Sequence, residues 1–311
     1  ANPWLNRMKF ARQEHVRYKA RDGLEIGGVL VRPLDQKKGK RYPLIMMVHG
    51  GPESHVPNGW VSWYSMPGQV GAARGFAVFM PNYRGSTGRG VAYSKMGQAD
   101  YAGAEFNDIV DAITHFDKSG LADSKRVGIT GGSYGGFASA WGATALTKHF
   151  AASVMFVGIS DHISKFGTTD IPQEMFLVHA RRWPWKHWDW FRSRSPIHYT
   201  PQARTPILIL HGKRDTRVHP SQSMELFRYL KTLGKVPVRL VFYPKEGHGN
   251  RKASARYDYQ LRQLRWMQHY LQGKGGKPPP YRLDYQLVDD KDGKSKTQRK
   301  RKRKRKRKRK R

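Results

Sequence analysis

The chain predicts an α/β protein with a mainly parallel sheet covered by helices on both faces. Three observations lead there. Continuous apolar runs of strand length recur at residues 44–48, 76–80 and 206–210, and unbroken apolar strands suit a sheet buried on both sides. Between them lie stretches with helical spacing, such as 105–116, where Phe106, Ile109, Val110, Ile113 and Phe116 share one face. A length of 311 residues with 38% hydrophobic content allows one large core or two small ones.

The elements follow in order. Residues 15–20 alternate, Arg21-Asp22-Gly23 supplies a turn, and 24–31 return, which is a hairpin. After a Lys-rich loop at 36–41, the strand 44–48 runs into His49-Gly50-Gly51-Pro52. A helix at 68–74 and a strand at 76–80 come next, closed by Asn82-Tyr83-Arg84-Gly85-Ser86-Thr87-Gly88. Beyond the 105–116 helix, a β-branched strand at 127–130 enters a glycine cluster centred on Ser133, and an alanine-rich helical stretch at 138–146 leaves it. A strand is expected at 152–157, whereas 160–200 loses this rhythm and is crowded with tryptophan. The alternation resumes with strand 206–210, helix 220–233, strand 238–243 and an amphipathic helix at 253–271, and the Gly, Lys and Pro run beyond Gly273 reads as a linker.

Composition narrows the partners. The absence of cysteine removes disulfides, thiolate metal sites and a cysteine nucleophile, and leaves the compartment open. Of the formal charge of +35, thirteen units sit in the unbroken Lys/Arg run 299–311, leaving +22 on the rest. Such a run repels itself and is expected to be a disordered tail. No apolar run reaches bilayer-crossing length, and the stretch after Ala1 is too polar for a signal peptide, so a mature or excised piece is expected. Periplasmic, secreted and cytoplasmic locations all stay open.

Gly131, Ser133 and Gly135 fit G-x-S-x-G, a strand–turn–helix elbow that lifts a serine hydroxyl clear of the sheet. A glycine turn with a solvent-facing serine has the same local sequence. A serine hydroxyl needs a base and an orienting acid to act as a nucleophile. Both follow in the chain order Ser, Asp, His: Asp215 just past one late strand and His248, between glycines, just past the next. His219 lies too near Asp215 to serve as the base, and Asp161 and Asp170 follow no strand so closely. For an oxyanion, the backbone N–H of Tyr134 is one donor, and the loop His49-Gly50-Gly51-Pro52 is placed to offer the second. The pairs His49/His55 and His211/His219 lack a ligand pattern, so no metal site and no cofactor are expected.

Read together and in this order, HGGP, NYRGSTGRG, GGSYGG, HGKRDTRVHPSQS and EGHG resemble the catalytic domain of the prolyl oligopeptidase family of serine peptidases, nearest its acylaminoacyl-peptidase and dipeptidyl-peptidase-like branches. The resemblance covers about residues 14–271 and implies an α/β-hydrolase fold with Ser133, Asp215 and His248 as the triad. It implies that Gly51 N–H serves the oxyanion where other branches use a tyrosine hydroxyl at the position of His49. It further implies Arg217 as ligand for the substrate carbonyl one residue before the cleaved one, with Val218 and Ile159 near the P1 pocket. Family members usually carry an N-terminal β-propeller; none is legible in this chain, so selection of substrates by size is not carried over. The expected organisation is a lead-in at 1–13, a peptidase domain at 14–273, and a linker and tail at 274–311.

Three functions are consistent with these residues. The first is hydrolysis of oligopeptides through an acyl-enzyme, the second a carboxylesterase with the same machinery. The third is a basic binding module, against which an intact triad argues. The stretch Arg181 to Trp190 mixes tryptophans with cations, but packing or an interface with a partner domain is the commoner role of such a cluster, and nucleic acid is disfavoured. NYRGSTGRG lacks the G-K-[ST] ending of a phosphate loop. Oligomeric state, a homo-oligomer included, is left open.

Overall fold

The computed structural model describes residues 2–283 and 285. The described residues up to Pro279 form one compact unit. The expected Lys/Arg tail at 299–311 lies outside the described residues.

Eight strands build one sheet: β1 (Gln13–Lys19), β2 (Glu25–Val31), β3 (Tyr42–Val48), β4 (Ala77–Asn82), β5 (Ala122–Gly132), β6 (Ala152–Phe156), β7 (Ile207–Gly212) and β8 (Val238–Tyr243). Their spatial order is β1-β2-β4-β3-β5-β6-β7-β8. The hairpin β1–β2 and its junction with β4 are antiparallel, and every later pairing is parallel. The expected α/β-hydrolase architecture is therefore present.

All seven residues of β3 are buried, and their alternation sorts them between two layers. Leu44, Met46 and Val48 pack with Phe79, Ile109 and Phe137 on one face, under the helices Ala104–Lys118 and Tyr134–Ala143. Ile45 and Met47 join Tyr259, Trp266 and Met267 on the other, under the helix Ala253–Leu271. Each such side chain contributes about 1.5–3 kcal/mol on burial, so the middle of the sheet is a stiff support for the loops at its ends. The helix Ser221–Leu233 covers β7 through Leu226 and Leu230.

Two boundaries and one segment depart most from the sequence expectation. The elbow helix starts at Tyr134 rather than 138, because the glycines before it are where helix and sheet approach most closely. A Cβ on Gly135 would lie 2.0 Å from the Val48 carbonyl oxygen, and one on Gly131 2.3 Å from the same atom. Helix propensity would have placed the start later, but contact with β3 decides. Strand β5 extends well before residue 127, as far back as Ala122. Residues 160–200, in turn, form a chain of short helical turns, three of them opened by Pro172, Pro184 and Pro196. The aromatics of this segment largely stack on one another, with Trp183 lying 4.3 Å from Phe176 and 4.9 Å from Trp185 between ring centroids.

Candidate active site

Ser133, Asp215 and His248 all follow the carboxyl ends of parallel strands, β5, β7 and β8. Ser133 has φ 60° and ψ −120°, a left-handed backbone that a side-chain-bearing residue adopts at a cost of about 1–3 kcal/mol. Its N–H donates to the Phe156 carbonyl at 3.0 Å, and the helix behind it holds the turn. Ser133 and His248 line one cavity of about 780 Å³, together with Trp63 and Tyr64. Among the described residues Ser133 Oγ makes no hydrogen bond, so its proton is not committed elsewhere.

His248 and Asp215 are joined. Nδ1–H of His248 donates to Asp215 Oδ2 at 2.8 Å. The other oxygen, Oδ1, accepts the backbone N–H groups of Arg217 and Val218, both at 3.0 Å, so the carboxylate cannot rotate freely. His211, at the end of β7, brings Nε2 within 3.2 Å of Oδ2 while donating to the Val218 carbonyl at 2.8 Å, and its Nδ1 accepts from Ser223. Burial alone would raise the pKa of Asp215, but hydrogen bonds from His211 and His248 outweigh it and lower the value to about 2. Asp215 is thus ionised at neutral pH, as an acid must be to hold an imidazole tautomer and stabilise its charge.

The His248 loop is itself pinned. Buried Glu246 accepts the N–H groups of Arg251 and Lys252, and Tyr64 OH accepts that of Asn250 at 2.9 Å. Across the cavity, Gly50 sits against the elbow: a Cβ there would lie 3.1 Å from Ser133 Cβ and 3.7 Å from Tyr134 N. Tyr134 N–H is at the first turn of its helix and has no intrahelical partner. Gly51 adopts φ 121°, open to glycine alone, and its N–H has no partner among the described residues.

A polar frame fixes this loop. His49 Nδ1–H donates to Gly50 O and Nε2 accepts from Ser86, both at 2.8 Å, and the ring stacks on Tyr83 at 4.4 Å. Burial lowers the pKa of His49 to about 4, so the ring is neutral near pH 7 and both bonds persist. Arg84, next in the chain, forks onto buried Asp108 and reaches Asp22 in the hairpin turn at 2.6 Å. The glycine-rich stretch after β4 is thus a brace for the His49 loop.

Glu105 is fully buried beside the elbow, where Tyr134 OH donates to it at 2.9 Å. Burial, with Asp100 nearby, pushes its pKa up to about 8 from an ordinary 4.5. A raised folded-state value means that its ionisation opposes folding, so its contribution is fully present below 4.5 and is lost as pH rises through 8. Glu105→Gln cannot ionise and should gain on the wild type by about 1 kcal/mol per pH unit across that window. Urea unfolding of both proteins from pH 5 to 8 measures this; a gap that does not change with pH would refute it.

The remaining expected residues are not among those lining this cavity. Arg217 is half-exposed, grips Asp170 at 2.6 Å and does not line the cavity with Ser133. Val218 and Ile159 are buried in the cluster that contains Tyr134, beneath the surface rather than on it. Asp161 caps the short helix His162–Thr168, and His219 bonds Ser221 at the start of the next long helix. Sequence reasoning gave His211, Tyr64 and Glu246 no part in the site. The signal for His211 was its place at the end of a buried strand, four residues before Asp215; nothing local marks Tyr64.

A serine on a strand–turn–helix elbow, with an acid and a histidine on the loops after the last two strands, makes this an α/β-hydrolase. The chain belongs to the prolyl oligopeptidase family, whose family model matches residues 62–274. It is 36% identical over 245 residues to an uncharacterized peptidase, YuxL, of Bacillus subtilis, covering 76% of this chain and 35% of that one. It is 31% identical over 267 residues to the human acylamino-acid-releasing enzyme, covering 83% and 35%. Among solved structures, an acylaminoacyl peptidase of Pyrococcus horikoshii superposes with a TM-score of 0.77 at 26% identity, over 90% of this chain and 44% of that one. The chain thus spans about a third of the length of the curated relatives it matches.

Proposed function

We propose that this chain is the catalytic portion of a serine peptidase that cleaves oligopeptides through an acyl-enzyme on Ser133. One arrangement supports it above the rest: His248 turns Nδ1 to Asp215 at 2.8 Å and lines the same cavity as Ser133. His248 Nε2 takes the Ser133 proton as Oγ attacks the peptide carbonyl. Asp215 holds the imidazole tautomer and stabilises the imidazolium. Gly51 and Tyr134 N–H groups receive the oxyanion, a role in which one donor is worth about 10²–10³ in rate. The amine departs with the proton from His248, and water, deprotonated by the same ring, releases the acid.

Relatives named as an acylamino-acid-releasing enzyme and as peptidases support peptide substrates for this chain too. Arg217 is proposed as the carbonyl ligand, in which role it exchanges Asp170 for substrate. Val218 and Ile159, buried in the same core cluster as Tyr134, are proposed to lie beneath the P1 pocket. A β-propeller domain outside these residues is proposed as a partner. The domain boundaries 14–273 and 274–311 are likewise proposed.

Matched amide and ester substrates with one acyl group test the reaction class. Turnover of both, with a shared acyl-enzyme visible as a burst, is expected. Ester turnover with no amide cleavage would replace the peptidase by a carboxylesterase.

A further inference from the structure

The cavity that holds Ser133 and His248 has an unbalanced charge. Five cations line it, Arg214, Lys245, Arg251, Lys252 and Arg256, all exposed, against a single acid, Glu246. Glu246 is buried and turned inward, where it accepts the backbone N–H groups of Arg251 and Lys252, so it does not offset the side chains outside.

Elsewhere the arginines of this basic chain commonly find carboxylates, as Arg21 does with Asp111, Arg41 with Asp117 and Arg126 with Asp123. None of the five at the cavity has a carboxylate partner among the described residues; Arg256 alone is tied, to the Asn250 carbonyl and over the Tyr64 ring. A concave site walled by one sign of charge concentrates the opposite sign in its substrate.

Geometry says which part of a substrate meets these cations. Nδ1 of His248 is committed to Asp215, so only Nε2 can hand a proton to the departing amine. The amine therefore leaves over the loop that carries His248. Lys245, Arg251 and Lys252 are on that loop, and Arg214 N–H is bonded to it through the Glu246 carbonyl at 2.8 Å. The oxyanion donors lie elsewhere, Gly51 on the loop after β3 and Tyr134 at the start of the helix after β5. We infer that the cations around His248 form a carboxylate-binding rim for the leaving-group side of the substrate, so that peptides with a negative charge just after the cut are preferred. This presupposes the peptidase reading above. The carboxylate comes either from an acidic side chain or from the free C-terminus of a short peptide.

The test digests a random peptide library with the full chain and identifies cut sites by mass spectrometry. Expected at low salt is an enrichment of about tenfold for acids over Lys and Arg in the first two positions after the cut, or of cuts one or two residues from a free C-terminus. It should shrink to about threefold or less at 0.5 M salt, because exposed charges are screened. An amidated library separates the sources: enrichment that survives comes from side chains, and enrichment that vanishes comes from the terminal carboxylate. In the Lys245→Glu/Lys252→Glu variant the ratio of acidic to basic cuts should invert, while Lys118→Glu, on a helix end before β5, should leave the ratio as in the wild type. Cleavage with no charge preference after the cut, or a preference untouched by the double reversal, overturns the rim and leaves the peptidase intact. No cleavage of any peptide, together with no labelling by a fluorophosphonate, overturns the peptidase reading and the rim with it.

Discussion

Replacing Ser133 by Ala should abolish labelling by a fluorophosphonate probe and lower kcat by about 10⁴–10⁶-fold, the range seen when a triad nucleophile is removed. The same substitution should change the unfolding free energy by less than about 0.5 kcal/mol. Alanine keeps the Cβ that already occupies φ 60°, and Oγ has no internal hydrogen bond to lose. A glycine-turn serine without a chemical role would show neither loss, and a structural serine would show the stability change instead. Probe labelling and urea unfolding on one preparation of the variant distinguish all three. Undiminished labelling would remove Ser133 from the chemistry.

Asp215→Asn should cost about 10⁴ in kcat/KM through a specific failure of hydrogen bonding. Because Oδ1 of Asp215 is held by two backbone N–H groups, from Arg217 and Val218, the amide oxygen of an asparagine must take that position. Its NH₂ group then faces His248. The imidazole can only accept from it at Nδ1, which puts the ring proton on Nε2, where no proton can be taken from Ser133. The amide also meets His211 Nε2–H donor to donor, although that N–H keeps the Val218 carbonyl. The check is kcat/KM against pH for the wild type and the variant, with thermal melting to confirm folding. A variant within tenfold of the wild type would show that Asp215 does not set the tautomer.

The parts of this molecule that sequence makes legible are those with a local cause. Unbroken apolar runs mark β3, β4 and β7 because a strand covered on both faces tolerates nothing else, and the glycines around Ser133 are required by contacts with Val48. Ser133, Asp215 and His248 can each be read because they follow such strands directly. What could not be read depends on distant neighbours. The elbow helix begins at Tyr134 because of packing against β3 and β6, which overrides the preference of glycine for turns. Tyr64 holds Asn250 from 186 residues away, and His211 resembles any buried histidine until Asp215 folds back over it. Arg217, implied by family likeness, has its guanidinium bonded to Asp170, a partner 47 residues away that no local motif announces.

The Asp22–Arg84 contact joins the tip of an edge hairpin to the residue beside Tyr83, and Tyr83 and Ser86 together clamp the ring of His49. The two antiparallel strands at the margin therefore do more than extend the sheet. A minimal domain trimmed to the parallel strands would keep Ser133, Asp215 and His248 and still lose the scaffolding that fixes the loop carrying Gly51.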